Sequence, residues 1–378
     1  MNFEKLDTYI KQELYGKNTI PGCDIIVKKG YDTVFRAQYG YADIEKKTQV
    51  SSTSQYCLYS CTKPVSATAA MRLVERGLLD LEAPAYEYLP TLADVYLERD
   101  GVRYAPASPI KVKHLFTMTA GFNYNINAAP TKELLTSGKR VSTVDFAKAA
   151  VKSPLMFEPG DRFLYSMCHD ILGAVVEAVS GEAFGDYMKK NIFLPLGMEK
   201  TGFLNTLDER PTLPPLYVVN KETLHVDDQK NIYLHGLNEN YQSGGAGLIS
   251  TVEDYSKFAS ALACGGRAEN GYEVLRPETV KLMHTEQLGR FALDSKFSCA
   301  AGAGYGYALG VRTLISKDEG QRSPIGEFGW DGAAGSYVLV DDTNNISIFF
   351  ATHLCSWPAL LGQLHAPLRD LTYECMGL

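Results

Sequence analysis

The amino-acid sequence predicts an α/β fold of the α+β type: one antiparallel sheet built from both ends of the chain and flanked by helices, with a mainly helical lobe inserted between its halves. Three observations carry this expectation. Runs rich in Val, Ile and aromatic residues open the chain at Gly22 to Val27 and Thr33 to Tyr39, around the turn Lys29-Gly30-Tyr31-Asp32. Four more such runs come late, at Tyr307 to Leu314, Glu327 to Trp330, Tyr337 to Val340 and Ile346 to Thr352. From about residue 82 to residue 290 strand-like alternation is sparse, and helical segments are broken by turns such as Phe157-Glu158-Pro159-Gly160-Asp161 and Leu194-Pro195-Leu196-Gly197.

With 378 residues, 45% hydrophobic and 21% charged, the chain carries enough apolar surface for a large core. We expect one unit over 1–378, with one lobe from 1–80 plus 300–378 and a mainly helical lobe from 81–299. In chain order, residues 2–16 set apolar and charged groups at helical spacing ahead of the first hairpin. A polar loop over 42–55 leads to Leu58-Tyr59-Ser60-Cys61-Thr62-Lys63-Pro64, which opens the apolar helix Val65 to Leu79 with its stop at Gly77. A second apolar helix starts after Tyr165 and stops at Gly181, and an amphipathic segment, Pro358 to Tyr373, closes the chain.

The chemistry concentrates at Ser60. Ser60 and Lys63 are three residues apart, so on a helix they share a face and the amine reaches the hydroxyl. A serine hydroxyl attacks well only when a base takes its proton. Lys63 becomes that base if burial and a neighbouring cation lower its pKa, and Ala67, Ala69, Ala70, Met71 and Leu73 supply an apolar surround. The helix N-terminus adds N–H groups where an oxyanion would develop, and Pro64 falls near the first turn, where a missing N–H costs little. Spacing alone is weak: Ser108-Pro109-Ile110-Lys111 repeats it in a loop-like context, where Ser108 reads as a turn or cap.

Two later stretches complete a constellation. Tyr165 sits on a tight loop entering a helix, and a phenol against the Lys63 ammonium would have a lowered pKa and shuttle protons to Ser60; taken in isolation, a tyrosine there reads first as a core residue with a satisfied hydroxyl. His169 reads as structural. Gly329-Trp330-Asp331-Gly332-Ala333-Ala334-Gly335-Ser336 joins two strands through small residues, as a close backbone approach to a ligand requires, and the N–H near Ala333 could join that of Ser60 in an oxyanion hole.

Ser60-x-x-Lys63, Tyr165-Ser166 and Trp330-Asp331-Gly332, in this order, resemble the penicillin-recognising serine hydrolase superfamily, with its β-lactamase/DD-peptidase-like fold. Met71 to Pro90, His114 to Phe122, Phe157 to Ser166, Ile192 to Gly202 and Ser243 to Tyr255 are also similar, so the resemblance covers roughly residues 20 to 355. It is strongest to class C β-lactamase-like proteins and the esterases on the same fold. It implies an acyl-enzyme on Ser60, proton handling by Lys63 and Tyr165 with Tyr165 the base in deacylation, an oxyanion hole from the Ser60 and Ala333 amides, and no metal or organic cofactor. Where β-lactamases and D-alanyl-D-alanine peptidases of the superfamily have Tyr-x-Asn and Lys-Thr-Gly, this chain has Met167, Trp330 and Asp331. Tryptophan offers one N–H and an apolar face but no charge, and an ionised Asp331 near the substrate would repel a carboxylate. These departures favour a small neutral ester. An acyltransferase, a β-lactamase or peptidase, and a catalytically silent binding protein on the same scaffold stay open. Tyr124, Tyr241, Tyr305 and Trp330, with Asp331, Gly332 and Met167, are the candidate substrate-binding residues.

Other classes find little support. A net charge of -7 and a pI near 5.6 disfavour nucleic acid. No run approaches the ~20 apolar residues of a membrane span, and the first residues lack the basic start and apolar run of a secretion signal, so a cytoplasmic location is expected. The eight cysteines show no C-x-x-C pair and read as reduced thiols, with Cys61 a small packing residue. The expected partner is a small ester or acyl substrate.

Overall fold

The computed structural model describes residues 1–17, 19–207, 213–220, 223–226, 238–289, 303–317, 320–355 and 364–378, and the side chains of 219–220 and 223–226 are not among them. Cys299 and the first part of the Pro358 to Tyr373 segment lie outside the described residues.

β1 (Gly22–Lys29) buries Cys23, Ile25 and Val27 on one face and Ile26 on the other, so it has to lie inside a sheet covered on both sides. Its hairpin partner is β2 (Asp32–Asp43), followed by β3 (Thr48–Gln49), and on its other edge it pairs antiparallel with β10 (Ile346–Ala351), Ile25 opposite Phe350 and Ile26 opposite Phe349. Beyond β10 come β9 (Tyr337–Asp341), β8 (Phe328–Asp331), β7 (Arg312–Leu314) and β6 (Tyr305–Tyr307), giving one eight-stranded antiparallel sheet in the order β6-β7-β8-β9-β10-β1-β2-β3. Both ends of the chain therefore build it.

One face carries the terminal helices. Leu6 of α1 (Glu4–Thr8), Ile10 and Leu14 of its π-wound continuation, and Leu368 and Tyr373 of α5 (Ala366–Met376) pack with Ile25, Val27, Leu339, Ile348 and Phe350. The other face carries α4 (Val252–Ala263), whose Tyr255, Phe258, Ala259 and Leu262 repeat at helical spacing, with Tyr255 stacked 4.1 Å from Phe349. This corrects the expected lobe boundary: α4 falls between 81 and 299 but belongs to the sheet, because its apolar stripe is buried there.

Two further helices bring the chemistry together. α2 (Thr62–Glu75) ends in a Schellman arrangement, with Gly77 at φ 68, the Gly77 N–H on the Val74 carbonyl and the Leu78 N–H on the Leu73 carbonyl. It packs against α3 (Cys168–Ser180), which ends at Gly181 with φ 70. The expected single strand from Tyr307 to Leu314 is instead the turn of the β6–β7 hairpin, closed by the Ala308 N–H on the Val311 carbonyl. Its tip enters the α2–α3 seam, where a Cβ on Gly310 (φ 87) would lie 2.7 Å from both Ala67 and the His169 ring. A small sheet of β4 (Gln55–Cys57), β5 (Leu248–Thr251) and Gly202–Phe203 supports the Ser60 turn. No described helix is long and apolar enough to cross a membrane.

Candidate active site

Ser60 lies on a short 3₁₀ turn, Tyr59–Cys61, that feeds α2. Three hydrogen bonds fasten that turn. The Leu58 N–H donates to the Leu248 carbonyl at 2.9 Å, the Leu248 N–H to Thr62 Oγ1 at 3.0 Å, and the Tyr255 hydroxyl to the Cys61 carbonyl at 2.7 Å. Tyr59 takes a left-handed backbone, φ 43, which costs a non-glycine residue about 1–2 kcal/mol and is held by these contacts. The result is a half-buried Ser60 above a fully buried lysine.

Lys63 Nζ is 3.1 Å from Ser60 Oγ, 2.8 Å from the Gly245 carbonyl oxygen and 3.4 Å from the Tyr124 hydroxyl. Burial pushes its pKa down to about 7, against a smaller opposing pull from the Asp170 and Asp331 carboxylates. Burial thus acts as the sequence suggests, but the charged groups beside Lys63 among the described residues are the anions Asp170 and Asp331.

Tyr165 donates its hydroxyl to Ser60 Oγ at 2.8 Å and receives the Trp330 indole N–H at 3.1 Å. Its ring stacks on Trp330 at 5.5 Å and on Tyr124 at 5.6 Å, with Lys63 Nζ 4.6 Å from its centroid. The expected lowering of the Tyr165 pKa is overturned. Burial drives it well above the ordinary tyrosine value, outweighing its hydrogen bonds to Ser60 and Trp330.

Those contacts fix a direction. An indole N–H only donates, so the Tyr165 oxygen accepts there and its own proton points to Ser60. As the ammonium, Lys63 donates to Ser60 Oγ, the Gly245 carbonyl and the Tyr124 hydroxyl; as the free amine it can accept the Ser60 proton and keep its two hydrogens for Gly245 and Tyr124. Trp330 donates to Tyr165 and Tyr165 to Ser60, and with Lys63 as the free amine the chain of donors continues from Ser60 to Lys63.

Trp330 is the penultimate residue of β8, next to the turn Gly332–Ser336, which presses on the Ser60 loop. Ser336 Oγ donates to the Leu58 carbonyl at 2.9 Å, and a Cβ on Gly332 would meet Ser336 Oγ at 2.1 Å and the Leu58 oxygen at 2.2 Å. Glycine is required there by contact alone. Among the described residues neither the Ser60 nor the Ala333 amide donates to a backbone carbonyl.

The remaining candidates divide. Tyr124 joins the stack. Met167 is buried as the N-cap residue of α3, and its N–H goes to the Asn123 carbonyl. Tyr241 is buried with its hydroxyl on Asp170 and its ring on Phe146, so it is not a pocket wall. Tyr305 is likewise corrected: its hydroxyl binds Glu327 at 2.6 Å and receives Arg369 at 3.0 Å, beside α5. Asp331 turns one oxygen into the interior without a hydrogen-bond partner among the described residues, and burial pushes its pKa up to about 6. His169 is structural, with Nε2 3.4 Å from the Phe116 carbonyl and its pKa pushed down by burial to about 3. Ser108 stands in an exposed turn.

Sequence reasoning missed Tyr307, which meets Trp330 edge-on at 5.2 Å, and Asp170, buried beneath the lysine. Asp170 stood in the same stretch as Tyr165, with nothing local to separate it from a helix-capping acid. No group of three or more metal-ligating side chains occurs among the described residues.

A family model described as Beta-lactamase matches residues 6–360. Esterase EstB of Burkholderia gladioli is 27% identical over 395 residues, covering 98% of this chain and 94% of its own. Among solved structures, EstCE1, described as a hydrolase with promiscuous acyltransferase activity, has a TM-score of 0.79 at 24% identity over 98% of this chain and 99% of its own. Simvastatin synthase (LovD) from Aspergillus terreus, in its unliganded selenomethionyl form, also has a TM-score of 0.79, at 20% identity over 99% and 98%. At these identities the two structures speak to the fold.

Proposed function

The chain belongs to the beta-lactamase family and is a serine hydrolase; within that class we propose that it is a carboxylesterase acting on small neutral esters through a covalent acyl-enzyme on Ser60. Lys63 takes the Ser60 proton as Oγ bonds to the ester carbonyl carbon, and the carbonyl electron pair moves to an oxyanion held by the Ser60 and Ala333 amides. The alkoxide leaves as alcohol with the Tyr165 proton. The resulting phenolate is paired with the Lys63 ammonium and receives the Trp330 N–H. In the second half Tyr165 takes a proton from water, the hydroxide adds to the acyl carbon, and Ser60 departs with the Lys63 proton. No charge or proton is left over.

One observation carries the choice of a neutral ester: the side chain above Tyr165 is Trp330, whose only polar hydrogen is already given to that phenol at 3.1 Å. Among the described residues a substrate carboxylate finds no cation there other than the buried Lys63, and losing one charge-assisted hydrogen bond costs about 1.5–3 kcal/mol, roughly tenfold to hundredfold in affinity. Esterase EstB as a relative points the same way. The test compares kcat/KM for p-nitrophenyl butyrate and nitrocefin in the wild-type chain and in Ser60→Ala. Ester turnover should exceed nitrocefin turnover by at least that factor and disappear in the variant; equal, Ser60-dependent use of nitrocefin would return the protein to β-lactam chemistry.

The row of rings Tyr124, Tyr165 and Trp330 beside Ser60 also favours an alcohol over water as acyl acceptor when both are present. The acyl-enzyme is unchanged, and product analysis with added alcohols measures the partition.

A further inference from the structure

Beneath the reacting groups lies a carboxylate that the mechanism above does not use. Asp170 is fully buried in the first turn of α3. Its Oδ1 accepts the Ser243 hydroxyl at 2.6 Å and the Tyr241 hydroxyl at 3.0 Å, while the buried Oδ2 has no hydrogen-bond partner among the described residues. Oδ2 faces Gly245 so closely that a Cβ there would lie 2.6 Å from it and 3.4 Å from the Tyr124 hydroxyl. Gly245 is the residue whose carbonyl takes the Lys63 hydrogen at 2.8 Å, and the neighbouring Gly244 carbonyl takes the Ser66 hydroxyl from α2 at 2.7 Å. The Ser243–Gly245 segment is thus clamped between Asp170 on one side and the lysine helix on the other.

Burying a carboxylate with one oxygen unpaired costs free energy on the order of kcal/mol unless a nearby positive charge compensates. The described titratable groups around Lys63 are few. From the Ser60 turn there is the Cys61 thiol, from the Tyr124 loop and the Tyr165 loop two phenols, from α3 Cys168, His169 and Asp170, and from β8 Asp331. Both buried thiols and His169 are held neutral at neutral pH by burial. That leaves Asp170 and Asp331 as the anions that oppose the desolvation of Lys63, with Asp170 the stronger.

We propose that Asp170 is a positioning residue for Lys63, the buried counter-charge that sets the basicity of the lysine and, through Gly245, the place of its amine beneath Ser60. The inference rests on the reading of Lys63 as the base of Ser60. Removing the charge leaves the lysine more desolvated than compensated, so its proton comes off at lower pH, and the weaker base then reacts more slowly on the plateau.

Asp170→Asn tests this, because the amide keeps an acceptor for Tyr241 and Ser243 and loses only the charge. The readout is the pH profile of Ser60 phosphonylation by a fluorophosphonate probe on the full chain, which reports serine activation whatever the natural substrate. Relative to wild type, the acid limb should move down by about one pH unit or more, with a plateau lowered about tenfold. Asp170→Ser, smaller and also uncharged, should move the limb the same way, while Asp170→Glu should leave it near the wild-type position. An unmoved limb in the folded uncharged variants, or failure of both to fold, assigns Asp170 to structure alone and overturns the proposal. A wild-type chain whose Ser60 is not labelled at any pH overturns instead the serine hydrolase reading on which it rests.

Discussion

Trp330 shows how little a single side chain has to supply to set a direction. Its N–H ends on Tyr165, and because the indole cannot accept, the two protons beyond it, on Tyr165 and Ser60, are ordered toward Lys63 when its amine is free. Trp330→Phe keeps the stack and removes only that hydrogen. A neutral hydrogen bond is worth about 0.5–1.5 kcal/mol, so kcat for p-nitrophenyl butyrate should fall between roughly twofold and tenfold with KM little changed. A change confined to KM would show that the indole binds substrate and does not orient Tyr165. Burial of Lys63 makes a second prediction. Its free amine is the reactive form, so kcat/KM should rise with pH through about 7, the value to which its pKa is pushed down. A rate already flat well below that pH would remove the lysine as base. The contact of Ser60 with Lys63 was legible because the three-residue spacing stands at the head of an apolar helix, a context that Ser108 and Lys111 lack. Asp170 was not, since its partners Tyr241, Ser243 and Gly245 come from a distant segment.

At the scale of elements, the site depends on two loops that tolerate only glycine at their points of contact. Gly310→Ala drives a methyl between Ala67 and His169 in a left-handed backbone, where overpacking of this kind costs about 1–3 kcal/mol. Chemical denaturation should register that loss, and an unchanged midpoint would mean that the hairpin tip is not seated in the α2–α3 seam. Gly332→Ala acts on chemistry first. Its methyl would overlap the Leu58 carbonyl oxygen, so the Ala333 amide is displaced from Ser60. The loss of one oxyanion donor costs about 10²–10³ in kcat, and circular dichroism should show the fold retained. The turn around 329–336 was readable from its small residues. The β6–β7 hairpin was not, because Tyr307 to Leu314 is apolar enough to pass for one strand until Gly310 is seen to meet two helices.

For the whole molecule, the sheet built from both termini was visible in advance because strands buried on two faces leave Val, Ile and aromatic runs that helices do not imitate over so few residues. Its partition into lobes was less visible. α4 reads locally as one more amphipathic helix of the inserted region, and only Phe349, nearly a hundred residues later, shows which surface it covers. The same long-range closure places Ser60 from the first part of the chain, Tyr165 from the middle and Trp330 from the last sheet strands around one point. The central claim is that these groups form and release an acyl-enzyme from a neutral ester. Intact-mass spectrometry during turnover of p-nitrophenyl butyrate tests it most directly: a transient butyryl adduct should appear on the wild-type chain and be absent from Ser60→Ala. Turnover without any adduct, or an adduct that persists in Ser60→Ala, would contradict the account.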